Sequence, residues 1–346
     1  MVPLMDDLRL CSVRTLDEMD RRFCFEIFSV HASCILQADS EASRQAWTEA
    51  MRSTINSAYR DSQVLDRRAQ GSEVSAPGTE GRDPYAEGQR VLEQSLRVAG
   101  NQRCCDCGKA DPRWASINLG ITLCIECSGI HRGLGVHQSK VRSLTLDTWE
   151  PELLKLLCAL GNDTVNQIYE AETEHSGLTK PTAESSRQEK EQWIEAKYVE
   201  KKFLKKNPAA ADQVPDDPAE MSGAVSPSHR LYAAAAVGDL PAMCQALALG
   251  ANVNWTNSEE SRTSPLIAAA RRGSLTACEY LLQNGANISY RDASGQGPLH
   301  VATRAGHTGP VCLLLKRGAN QYAVDERGQD PLSIAVATAN ADIVTL

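Results

Sequence analysis

The sequence predicts a multidomain α+β protein, and three observations carry that prediction. Apolar residues near the N-terminus recur with the period of a strand, two C-x2-C pairs occupy the centre, and a 33-residue period runs to the C-terminus. At 346 residues the chain exceeds the usual single domain, so a mosaic of separately cored units is expected.

The first unit is assigned to residues 1–60. In RRFCFEIFSV, Phe23, Phe25 and Ile27 alternate with Cys24, Glu26 and Phe28, the two-residue period of a sheet. After SCILQADS the period lengthens: Trp47, Ala50, Met51, Ile55 and Ala58 recur at helical spacing, and Asp39 or Ser40 can cap the start of that helix. Residues 61–90 are polar, rich in Gly, Ser and Pro, and read as a linker.

Residues 91–206 form the second unit. Cys104 and Cys107 make one C-x2-C, Cys124 and Cys127 another, and sixteen residues separate the pairs. That spacing suits a single tetrahedral zinc, which needs two short bites and a loop long enough to bring them together. Cys105 would leave a one-residue gap to Cys107 and is read as a non-ligand. Four protein ligands leave no open coordination position, so such a zinc organises structure and does no chemistry itself. What it organises lies just beyond the last ligand. If a helix starts near Cys127, Arg132 sits about a turn and a half into it, on a metal-anchored element. His131 and His137 flank the motif and are read as structural. WEPELLKLLCALGND (149–163) reads as a helix with Pro151 in its first turn and Gly161 as its cap, packed on the zinc module. EAKYVEKKFLKK (195–206) places Lys197, Lys201, Lys202, Lys205 and Lys206 in one helix, read as a solvated face.

A second linker spans 207–228, and residues 229–346 repeat. Pro-Leu recurs at 265, 298 and 331, and Gly-Ala-Asn closes successive units. Each helix pair leaves an apolar face that the next covers. Leu281, Leu282, Leu313 and Leu314 are assigned to that core, and Cys278 and Cys312 to buried, unreactive positions.

Composition narrows the function. A net charge of −8 argues against a polyanion-binding protein, and no basic segment follows the last cysteine, so a nucleic-acid finger is not expected. Twelve cysteines scattered over a long chain favour reduced thiols and a cytoplasmic setting. MVPLMDDLRL is not a secretory signal, and no P-loop pattern occurs.

C-x2-C-x16-C-x2-C-x4-R followed by GVHQSKVRSLTLDTW resembles the zinc-finger domain of Arf GTPase-activating proteins. Strands closing on a Trp-bearing helix resemble the C-terminal half of a pleckstrin-homology (PH) domain, and the 33-residue unit resembles the ankyrin repeat. In that order the three resemble the ACAP subfamily, whose BAR domain, coiled coil and first PH strands would precede this segment. The expectation is a chain truncated at both ends relative to that arrangement. The resemblance implies a GTPase activator for Arf-family GTPases in their GTP form, acting in membrane traffic. Arg132 would be the arginine finger and Trp114 a residue that supports engagement of the GTPase. It further implies peripheral recruitment to endosomal or plasma membranes, weakened by the truncation, and cargo or adaptor partners on the ankyrin stack. An adaptor that works through the repeats without needing Arg132 is the alternative.

Overall fold

The computed structural model describes residues 11–16, 21–28, 33–69, 84–174, 176–205 and 225–346. Strands β1 (Ser12–Leu16), β2 (Cys24–Phe28) and β3 (Ser33–Gln37) form an antiparallel sheet in sequence order, followed by helix α1 (Glu41–Ala69). Phe25 and Ile27 are buried with Cys11, Val13, Ala38 and Ile55 in a small core, and Phe23 packs at its edge. Ser40 is the residue that caps α1, its Oγ accepting from the Ser43 N–H at 3.2 Å. Two features depart from the sequence pattern. Trp47 belongs to the expected apolar stripe, yet it is 56% exposed, because the sheet meets α1 at Met51 and Ile55, further along the helix. The helix also runs through 61–69, and α2 (Pro84–Leu96) starts before 91, so both ends of the expected linker are helical; 70–83 lies outside the described residues. VLDRRA carries no helix breaker, and Pro84 stands at the first helical position, where proline is tolerated.

The central unit is built on a second antiparallel sheet, order β5-β4-β6, from β4 (Trp114–Ser116), β5 (Ile121–Leu123) and β6 (Val141–Ser143). Helix α3 (Ile125–Gly133) follows β5 directly. Ala115 and Ile117 meet α4 (Pro151–Leu160) and α2 in one apolar cluster with Leu144, Trp149, Leu153 and Leu157. α4 has Pro151 in its first turn and stops at Gly161, whose φ of 80° an L side chain rarely adopts. It therefore packs on the zinc module as expected. α5 (Asn162–Tyr169) and α6 (Arg187–Ile194) complete the unit, and α6 passes into a π-helical turn at Glu195–Val199.

The segment read as a solvated lysine helix is different. Lys197 is 0% exposed, the helix ends at Val199, and Lys201 adopts a φ of 53° before the buried Phe203 and Leu204. Burial of Trp193, Ile194, Ala196 and Tyr198 on either side draws Lys197 inward; Lys206 lies outside the described residues.

Residues 225–346 stack as four helix pairs: α7 (Pro227–Val237) with α8 (Leu240–Ala248), α9 (Pro265–Arg272) with α10 (Leu275–Gln283), α11 (Pro298–Arg304) with α12 (Thr308–Lys316), and α13 (Pro331–Ala337) with α14 (Ala341–Val344). Each recurring Pro opens a first helix, where its missing N–H costs nothing. Leu281, Leu313, Leu314 and Cys278 are buried and Leu282 is partly so. Cys312 is exposed, a correction: the 33-residue period carries Cys278 to Val311, which is buried, so Cys312 stands one residue past the equivalent position and faces outward.

The same apolar core runs without a break from the four cysteines through α4 and α5 into the stack. Polar contacts tie the seam. Lys140 Nζ donates to the Gln283 carbonyl at 2.5 Å, and Asn284 Nδ2 to the Asn118 carbonyl at 3.2 Å. Arg317 bridges Glu150 at 2.5 Å and the wholly buried Glu279 at 2.8 Å. Among the described residues no helix is long and apolar enough to cross a membrane.

Candidate metal centre and the arginine beside it

The two bites form as the sequence requires. Between Cys104 and Cys107 the chain turns tightly: Gly108 donates to the Cys104 carbonyl at 3.0 Å, Cys104 to the Lys109 carbonyl at 2.8 Å, and Gly108 takes a φ of 67°. At the other bite Cys124 is the N-cap of α3, its sulfur accepting from the Cys127 N–H at 3.5 Å. The four sulfurs lie within 4.8 Å of one another, Cys107 and Cys124 at 3.6 Å. A tetrahedral zinc with Zn–S of about 2.3 Å asks for sulfurs roughly 3.8 Å apart, so the four side chains are gathered closely enough to take the ion with small side-chain shifts. The four cysteines form one structural zinc site, buried and closed by its own ligands. Cys105 is excluded from it: its thiol donates to Asn166 Oδ1 at 3.1 Å, and burial pushes its pKa up to about 11.

Because Cys124 caps the helix, α3 begins at Ile125, and Arg132 lies in its last turn, two turns in, where the helix dipole favours a cation. Its guanidinium lies over the Trp114 ring at 4.3 Å from the centroid. Trp114 itself is 0% exposed. It stands in β4, paired with Ser143 and Leu123, so the platform is part of the sheet core. Burial lowers the Arg132 pKa to about 10, with Asp147 and Cys11 opposing that shift, and the group stays charged at neutral pH. Arg132 Nη1 also reaches strand β1, 3.3 Å from the Cys11 carbonyl and 3.4 Å from Ser12 Oγ.

Behind α3 lies a buried polar network. His131, next to Arg132, is 0% exposed, with Nε2 2.9 Å from Asp106 Oδ2 and Nδ1 2.9 Å from Ser139 Oγ. Lys197 Nζ is 3.1 Å from Asp106, 2.7 Å from Glu170 and 2.7 Å from Asn166 Oδ1, and Tyr198 donates to Asp106 at 3.0 Å. Burial alone would raise the Asp106 pKa, but Lys197 and His131 outweigh it and hold the carboxylate well below its usual range. Burial likewise opposes the Lys197 charge, and Cys105, Asp106 and Glu170 overcome it. Asp106, between two cysteine ligands, thus ties the metal knuckle both to the arginine helix and to the α6 segment. His137 is exposed and takes no part.

This network was missed in the sequence, although a signal exists: Lys197 interrupts a run of apolar neighbours, Trp193, Ile194, Ala196 and Tyr198, a poor setting for a solvated lysine. Lys197→Met should destabilise the chain by about 3–5 kcal/mol, since it leaves Asp106 and Glu170 without their buried counter-charge. Urea denaturation compared with the parent chain measures it, and a change under about 1 kcal/mol would show that the network contributes little.

Comparison with known proteins agrees with this geometry. Residues 89–207 match the family described as putative GTPase activating protein for Arf, and residues 231–325 match ankyrin repeats. Over 99% of its length the chain is 49% identical to the Gallus gallus protein named Arf-GAP with coiled-coil, ANK repeat and PH domain-containing protein 2, and 48% identical to its Homo sapiens counterpart. It is 42% identical, over 84% of its length, to the Homo sapiens protein named Arf-GAP with coiled-coil, ANK repeat and PH domain-containing protein 3. The chain spans about half of each relative, 54%, 54% and 51% respectively.

Proposed function

Because this chain belongs, through residues 89–207, to the family of Arf GTPase-activating proteins, we propose that it stimulates GTP hydrolysis by an Arf-class GTPase and that Arg132 is the group it donates. The observation that carries this reading is Arg132 itself: a charged guanidinium on a helix pinned at one end by two metal ligands and held flat on a buried tryptophan. Phosphoryl transfer gathers negative charge on the oxygens around the γ-phosphorus, and a positioned guanidinium stabilises that charge. Trp114 fixes the plane of the donor fork, so little side-chain freedom is lost when the fork meets the phosphate. It acts as a positioning residue buried beneath the arginine rather than as a surface that touches the partner. Zinc supplies rigidity alone. The chain offers no nucleophile or base in this scheme, and the attacking water is held by the GTPase.

Residues 91–206 and 229–346 are proposed as the activator and repeat domains, consistent with the matched segments. The sheet and helix of residues 11–69 are proposed as the C-terminal half of a PH domain, in keeping with the names of the relatives. Cargo or adaptor binding by the repeats and peripheral recruitment to endosomal or plasma membranes belong to the same proposal. The test is single-turnover GTP hydrolysis by lipid-anchored Arf on anionic vesicles, with and without the chain. Stimulation well above the intrinsic rate is expected, and an unchanged rate would end the proposal.

A further inference from the structure

We propose that strand β1 is an intramolecular cap on Arg132, and that the closed arrangement seen here is an autoinhibited one; this rests on the assignment of Arg132 above. A guanidinium that serves a GTPase must present its N–H groups to phosphate oxygens. Here one face lies on Trp114, and Nη1 points into the Cys11 carbonyl and the Ser12 hydroxyl, both residues themselves buried. Cys11, Ser12, Val13 and Arg132 line one cleft of about 40 Å³ between the N-terminal sheet and α3. With the strand in place, Trp114 and β1 occupy two sides of the guanidinium that a partner's phosphate would have to meet.

The contact is also built to open. Both hydrogen bonds are long for N–H···O, and both acceptors are neutral. The same cleft holds two further guanidinia, Arg52 from α1 and Arg187 from α6. Burial and then the charge of Arg187 lower the Arg52 pKa, and Arg52 Nε is buried with no hydrogen-bond partner among the described residues. Glu191 holds Arg187 at 2.7 Å and offsets part of the repulsion. Closure thus gathers three cations in one cleft against a single lining carboxylate, Glu126, which Lys190 already holds at 2.5 Å. The N-terminal sheet keeps its own small core, separate from that of the zinc module, so it can move as a body without unfolding either.

The test uses Ser12, which faces Arg132 and belongs to neither the metal site nor the proposed catalytic group. Ser12→Lys sets a like charge against the guanidinium and Ser12→Tyr a neutral obstruction; Ser12→Glu supplies a salt-bridge partner. Stimulation of lipid-anchored Arf·GTP hydrolysis by the full chain should rise roughly 5-fold or more for the Lys and Tyr variants and fall for Glu, the lower end of typical coupling between two states. Hydrogen exchange at residues 11–16 should rise in the first two while residues 104–132 stay protected. Three outcomes overturn the cap. If Arg132→Ala abolishes activity but no Ser12 variant changes it, the cap falls and the activator reading stands. If Lys and Glu act but Tyr does not, simple charge steering explains the effect. If Arg132→Ala has no effect, the activator reading falls and takes the cap with it.

Discussion

Arg132→Ala is expected to reduce stimulated GTP hydrolysis by about 10³ to 10⁵-fold, the range in which a donated arginine contributes to phosphoryl transfer. The loss should fall mainly on the maximal rate in single-turnover assays. The guanidinium's interaction strengthens as charge develops on the phosphoryl oxygens, so removing it costs more in the transition state than in the ground state. Arg132→Lys should recover little. An ammonium lacks the planar fork, and it cannot both lie flat on Trp114 and present two donors in one plane. Folding is the necessary control, because the arginine covers part of the tryptophan. The zinc content and melting temperature of both variants should stay close to the parent, since Trp114 remains walled by β5 and β6. Rates for Arg132→Ala equal to those of the parent chain, at equal folded fraction, would remove Arg132 from the chemistry.

Much of the site was legible because its determinants are local. The two C-x2-C bites lie within four residues each, and the helix that carries Arg132 starts inside the second bite. The repeats were legible for a related reason: each Pro opens a helix and each Gly-Ala-Asn closes a pair, so the signal repeats with the structure. What escaped depends on distant partners. Lys197 reads as an ordinary charged residue until Asp106 and Glu170 are placed beside it, 91 and 27 positions away. The contact of Arg132 with Cys11 and Ser12 spans 121 and 120 positions. No local pattern encodes it. Trp47 escaped differently: the period of a helix tells which residues share a face, and only the packing tells where along that face the neighbour ends. Cys312 was misplaced by one residue, since the repeat period carries Cys278 to the buried Val311.

Removal of the zinc is expected to have the largest effect on the fold. Structural zinc contributes roughly 10–16 kcal/mol of apparent free energy in zinc-finger peptides, more than the whole stability of most domains. In this chain the loss should spread along identifiable links. Without the ion, four buried sulfurs gathered within 4.8 Å lose what holds them together, and the turn at Gly108 and the Cys124 cap of α3 go with them. Asp106 lies between the ligands, so its bonds to His131 and Lys197 loosen next, and α3 loses its anchor to the π-helical turn. The repeats should behave differently. Each helix pair is covered by its neighbour, and Leu281 and Leu314 sit in the stack rather than at the metal. A chelator strong enough to strip the site should therefore abolish hydrogen-exchange protection over residues 104–144 while leaving it over 265–316, and Cys127→Ser should reproduce the pattern in the presence of zinc. Stimulation of GTP hydrolysis should disappear with the first change. Protection over 104–132 that survived complete removal of the metal would show that the sheet and α4 alone hold the arginine helix, and would reduce zinc to a bystander of the fold.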